Sequence, residues 1–318
     1  MALTQVETSG LSGSGASSNS TSGNVFSQTG AFKNRIINGG MRIDQRNAGA
    51  SQTFTAGAAL AYTVDRWYGY CTGANVTGQR VAGTGASQYR YQFTGAASVT
   101  AIGFGQRIEQ LNSYDLNTTT ATLSVDLANS LLTSVTWTAY YANTADTFGT
   151  LASPTRTQIA TGTFTVSSTL TRYSTQISIP AAATTGIEIV FTVGAQTSGT
   201  WTIGNVQLEA GSVATSFERR SHGQELALCQ RHYQTGRGVW WGQAPATATQ
   251  NVRAWVPFSP PMRVTPTTTS LTENSSAGYT GTYSVQDATA YGMNIQGTTN
   301  ATTGTSRFLV DFTASSEL

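Results

Sequence analysis

Stacking is the chemistry this sequence is best equipped to perform. Flat aromatic rings pack on sugar faces, while amides and guanidinium groups bind the hydroxyls, all within a shallow groove. Trp67, Tyr68, Tyr70, Tyr114, Trp137, Tyr140 and Tyr141 supply rings early in the chain, and Trp240 and Trp241 supply them later. Neighbouring residues of a strand point to opposite faces, so a regular strand exposes one of Tyr140 and Tyr141. Trp67, Trp137 and Trp201 read as core. Tyr68, Tyr70, Trp240 and Trp241 stand open between packing and stacking. With Tyr114 they are the candidate carbohydrate-binding residues.

Bond-breaking chemistry finds less support. Cleaving a glycosidic bond takes two carboxylates a few ångström apart. The acids Asp65, Glu109, Asp115, Asp126, Asp146, Glu188, Glu209 and Glu218 are scattered, no motif nominates a pair, and they read as solvated strand-end acids. No catalytic residue is nominated, and the chain is expected not to be an enzyme. His222 and His232 are the only histidines and read as surface or junction residues; no Gly-x-Ser-x-Gly elbow accompanies them. Their spacing makes no metal site. Gly103-Phe104-Gly105 reads as a turn, not a phosphate loop. Cys71 and Cys229 sit among apolar and aromatic residues and are expected to be buried free thiols.

Composition narrows the class. Hydrophobic residues make up 39% of the 318 residues, but charged residues only 10%, against ~25% in ordinary soluble proteins. Thr, Ser, Gly, Asn and Gln carry the polarity, which suits pleated strands and turns. A net charge of +2 gives no field for nucleic acid. Lys33 is the only lysine, so nearly all the basic residues are arginines, whose planar forks suit fixed contacts. Residues 1–30 hold no apolar leader, and no later run is long enough to span a membrane, so no membrane insertion is expected.

These residues need strands to hold them. Two-residue alternation recurs at Val135–Tyr140, Thr161–Val166, Thr175–Ile179 and Gly186–Val193. Residues 31–220 therefore read as one β domain. Ile36, Ile37, Met41 and Ile43 are expected to build a first strand kinked at Gly39-Gly40. Val206 and Leu208 alternate with Gln207 and Glu209 as a strand with one buried face, ended by Gly211. Residues 1–30 form a low-complexity arm with too little apolar surface to order alone. Residues 221–235 predict a short amphipathic helix with a Ser221–Gln224 capping box, Leu226, Cys229 and Tyr233 on one face, and Arg231 in its last turn. Residues 236–318 return to a small β domain, with strands at 252–258, 279–285, 290–295 and 307–312. Its size and the helix stripe both favour oligomerisation.

Several strings together resemble a known family. NRIINGGMRIDQR at 34–46, YTVDRW at 62–67, IGNVQLEAGS at 203–212, FERRSHGQELALCQRHY at 217–233 and FTASSEL at 312–318 are similar to segments of bacteriophage tail-fibre and virion proteins. The resemblance implies a jelly roll like that of carbohydrate-binding modules, followed by the connecting helix. It implies a fibre or spike subunit, often a homotrimer, docked to other virion proteins through residues 1–30 and attaching to host surface polysaccharide. Such a protein is made in the host cytoplasm, released by lysis and found in the virion. A head-decoration or collar fibre, and a polysaccharide-degrading spike, are the alternatives. Modules of this kind often hold a structural calcium, for which Asp44 or Asp65 could serve. Asp44 stands where the family often carries a tryptophan, which removes one aromatic anchor at that edge.

Overall fold

The computed structural model describes residues 32–85, 87–244, 249–300 and 304–318. The arm expected over residues 1–30 lies outside the described residues. The first six strands are β1 (Gln52–Phe54), β2 (Ala61–Tyr62), β3 (Trp67–Thr72), β4 (Val76–Ala82), β5 (Tyr89–Thr94) and β6 (Ala101–Ile108). A short helical turn, α1 (Gln110–Ser113), leads to β7 (Thr120–Asn129), β8 (Ser134–Ala142), β9 (Arg156–Thr165), β10 (Thr171–Ser178), β11 (Ile187–Val193) and β12 (Thr200–Ala210). They form two six-stranded sheets, in the orders β1-β4-β5-β12-β7-β10 and β2-β3-β6-β11-β8-β9. The fold is all-β, as the alternation predicts, and a jelly-roll sandwich, as the resemblance implies.

The inward rows of both sheets make one core. Trp67 stacks on Phe104 at 4.8 Å and Phe93 on Trp201 at 5.3 Å. Trp137 is buried with them, so all three tryptophans assigned to the core lie there. Each large apolar side chain removed from water contributes ~1.5–3 kcal/mol. Cys71 sits in this core and Cys229 behind it, both as free thiols.

Three sequence expectations need correction. Ile36, Ile37, Met41 and Ile43 are buried but do not form a strand. Asn38 and Met41 take positive φ, and Gly39 lies so close to Val206 that an added Cβ would stand 2.1 Å from its carbonyl oxygen. The segment is thus a packed turn: Ile36 and Met41 enter the jelly-roll core, whereas Ile37 and Ile43 meet Cys229. Strand β12 is buried on both faces, because Gln207 and Glu209 are covered as fully as Val206 and Leu208. Finally, Asp65, Glu109, Glu188 and Glu209 are buried acids, not solvated ones. Paired arginines or N–H donors make that burial tolerable.

Helix α2 (His222–Gln230) carries the capping box, with Ser221 as N-cap. It stops a turn earlier than its stripe suggests. Arg231 is its C-cap, and Tyr233 opens β13 (Tyr233–Ala244). The distal part continues with β14 (Asn251–Pro257), β15 (Thr268–Ala277), β16 (Tyr279–Thr289), β17 (Gly292–Thr299) and β18 (Gly304–Ser315). These make two three-stranded sheets, β13-β18-β15 and β14-β17-β16. Their inward rows share a smaller core of Val256, Met293, Ile295, Phe308 and Val310.

A buried polar junction ties this distal sandwich to the jelly roll. The Ser316 N–H donates to the His232 carbonyl at 2.8 Å. The Glu317 carboxylate accepts from Arg46 at 3.0 Å and also pairs with Arg66. The Leu318 carbonyl accepts from the Tyr62 hydroxyl at 2.8 Å and from Arg107 at 2.7 Å. His222 is exposed and His232 lies wholly buried in this junction, one at the surface and one at the junction as the sequence suggests. Among the described residues, no helix is long and apolar enough to cross a membrane.

Candidate functional site

The outer face of the second jelly-roll sheet collects the groups suited to recognition. Strand alternation sends Tyr68, Tyr70 and Thr72 of β3 outward, because Trp67 and Cys71 point into the core. The register then sets two rows across the sheet. One runs Tyr68, Gly105, Val190, Thr138 and Thr161; the other runs Tyr70, Gly103, Thr192, Thr136 and Thr163. The two glycines decide the relief. A Cβ on Gly103 would fall 2.1 Å from the Tyr70 ring, and one on Gly105 would fall 2.5 Å from the Tyr68 hydroxyl. Both tyrosines therefore lie down across the neighbouring strand instead of standing out from it. Gly103-Phe104-Gly105 is a strand that makes room for rings, not the turn its composition suggests.

A third row carries the charge. Arg107, Glu188 and Tyr140 face out side by side. Glu188 has no exposed surface. Its carboxylate accepts from the Tyr68 hydroxyl at 2.6 Å and from Arg107 Nε at 2.8 Å, and also pairs with Arg156. Burial, with Glu188 beside it, pushes the Tyr68 phenol well above its ordinary value, so it remains a donor. Burial opposes the charge on Arg156, but the Glu188 carboxylate more than offsets this and raises its pKa. Arg156 stays cationic and lies 4.1 Å above the Tyr140 ring. Tyr70, its phenol raised by burial, stands within electrostatic reach of Arg156 and Tyr140. Arg107 is held at this end by Phe148, the Gly149 carbonyl and the Leu318 carbonyl.

The result is a shallow platform. Tyr70 and Tyr140 are half-buried, so each offers part of a ring to solvent. Threonine hydroxyls border them, with Thr138 and Thr161 3.0 Å apart. Among the residues of this sheet, Glu188 is the only carboxylate.

The five candidate residues part company. Tyr70 is on the platform. Tyr68 lies beneath it, fully covered, and presents no face to a ligand. Tyr114 is exposed but sits on the helical turn after α1, away from the sheet rows. Trp240 faces the distal core, stacked on Phe308 at 6.4 Å. Trp241 is exposed on the outer distal face, with the Arg307 guanidinium 5.6 Å from its ring. Arg156 and Glu188 were missed as contributors, and no local signal marks them, because their pairing joins strands β9 and β11 on either side of β8.

The carboxylates offered for calcium are already engaged. Asp44 accepts from the Asn47 and Gly49 N–H groups, at 3.0 and 2.7 Å, and Asp65 accepts from the Gln45 N–H at 3.0 Å. Burial pushes Asp65 upward, which favours its neutral form. Among the described residues, no group of three or more His, Cys, Asp or Glu could hold a metal ion.

No family model matches this chain, and no curated protein matches it. Solved structures do align with it. A CBM4 structure is 15% identical with a TM-score of 0.35, covering 55% of this chain and 99% of its own. A family 11 carbohydrate-binding module from Clostridium thermocellum, in complex with a β-1,3-1,4-mixed-linked tetrasaccharide, is 12% identical with a TM-score of 0.33; it covers 53% of this chain and 100% of its own. The enzymatically active domain of tailspike protein 4 from bacteriophage CBA120 is 16% identical with a TM-score of 0.34, over 56% of this chain and 22% of that one.

Proposed function

We propose that this chain is a non-catalytic glycan-binding protein whose binding surface is the Tyr70–Tyr140–Arg156 platform. The observation that carries this reading is Gly103, which lets Tyr70 lie flat on the same sheet face as a charged, ring-backed arginine. Rings supply stacking, and Arg156 and the threonine hydroxyls supply directed hydrogen bonds. Glycoside cleavage would need a second carboxylate facing Glu188, and Glu188 itself is committed to two arginines and a phenol. The platform is built to hold a sugar and leave it intact.

The setting we propose is the virion of a bacteriophage, as a tail-fibre or spike subunit. Support for it is the ordered set of strings at 34–46, 62–67, 203–212 and 217–233. A homotrimer would present three platforms to one polysaccharide, and multivalency turns weak single sites into firm attachment. Binding to arrayed host surface polysaccharides tests the reading. Tyr70→Ala with Tyr140→Ala should weaken binding by at least about tenfold, roughly 1.4 kcal/mol. Unchanged binding by this variant would remove the platform from the account.

A further inference from the structure

The distal sandwich carries a second flat ring on an open polar face, and nothing in the jelly-roll platform accounts for it. Trp255 of β14 points outward, because Ala254 and Val256 on either side are buried. Its indole is 52% exposed, and Tyr291, in the turn just before Gly292, is 69% exposed. Gly292, on the paired strand, lets the indole lie down: an added Cβ would stand 2.5 Å from Cζ2 and 2.9 Å from Cη2. One broad face of the ring thus rests on the sheet and the other is presented to solvent.

The surroundings decide what could lie on that ring. Asn294 pairs with Trp255 in the register, and Gln296 pairs with Arg253 one row along. Arg253 Nε donates to the Gln296 side-chain Oε1 at 3.1 Å, and its Nη1 donates to Asp287 at 2.8 Å. Asn294 Nδ2 also donates to Asp287, at 3.3 Å. Arg253 and Asp287 cancel in charge, which leaves amide donors and acceptors around a flat apolar ring. Such a face suits a neutral polyhydroxylated chain. It lacks the cationic excess an anionic partner would need and the continuous apolar surface that a subunit core needs. Trp241 differs, since Arg307 already lies over its ring.

We propose that Trp255, with Tyr291, Asn294 and Arg253, forms a second carbohydrate site for a neutral glycan. It shares no residue with the jelly-roll platform, so each can fail without the other. Two sites on one chain raise avidity for a repeating polysaccharide whenever their spacing allows both to engage.

The test uses the full chain on an array of immobilised glucose, xylose and galactose hexamers. Tyr70→Ala/Tyr140→Ala protein should keep a residual signal. Adding Trp255→Ala should cut that residue by at least about tenfold, and Trp255→Phe should retain most of it. The proposal is overturned by no binding to any glycan, by no residual signal, or by a residual signal indifferent to Trp255. It is equally overturned if Trp255→Ala changes the sedimentation coefficient and leaves binding intact, which would assign the ring to a contact between copies. If Tyr70→Ala/Tyr140→Ala binds like wild type while Trp255→Ala does not, the jelly-roll reading fails and the distal site stands.

Discussion

The jelly roll and the distal sandwich handle charge in opposite ways. In the jelly roll, acids are sunk and crosslinked: Glu188 with Arg107 and Arg156, Glu109 with Arg231, Asp126 with Arg90 and Arg172. In the distal sandwich, Arg237–Asp311 and Arg253–Asp287 are pairs of half-exposed or exposed side chains. Buried pairs are costly to break and hold geometry; exposed pairs are screened and contribute little. The contrast teaches where rigidity lies. The larger domain fixes its tyrosine–arginine platform from within, whereas the smaller one is tied on through the junction at Ser316–Leu318.

Breaking the junction should have the largest effect. Glu317→Ala leaves Arg66, 1% exposed, without its carboxylate. Removing one partner of a buried pair costs about 3–5 kcal/mol. Denaturant unfolding should show that loss, with the distal sandwich melting in a separate, earlier transition. Asp311→Ala, on an exposed pair, should leave the midpoint within error. Equal losses for both variants would erase the contrast.

A smaller effect comes from pH. Burial, and then the nearby Arg66, Arg263, Arg231 and Arg46, hold His232 well below its ordinary value; Glu317 at 3.9 Å opposes them. The folded form therefore refuses a proton that the unfolded chain accepts below about 6.5. Stability from this group is intact above that pH and is lost as pH falls, by up to about 1.4 kcal/mol per unit. Asp65, raised by burial, works with the opposite sign in a lower window, above the ordinary carboxylate value. Unfolding midpoints measured from pH 7.5 to 5.5 should be flat and then decline, and His232→Gln should flatten the decline. A flat wild-type profile would place His232 in contact with water.

Much of this fold was legible in the sequence, because alternation is a local signal. Val135–Tyr140 and Gly186–Val193 read directly as strands, and Ser221–Gln224 read as a helix start. The site was less legible. Tyr70 could be singled out, but Tyr68 looks identical in type and is buried; the difference is a partner, Glu188, that lies 120 residues away. The buried acids were missed for the same reason, since Glu317 finds Arg66 across 251 residues. The strand expected from Ile36 to Ile43 failed because positive φ at Asn38 and Met41 does not show in hydrophobic pattern.

Hydrogen exchange with and without a bound oligosaccharide tests the platform most directly. Amides of 68–72, 134–142 and 156–163 should slow on binding, in the wild-type chain and not in Tyr70→Ala/Tyr140→Ala. Slowing confined to the opposite jelly-roll sheet, around 89–94 and 120–129, would contradict the assignment of this face.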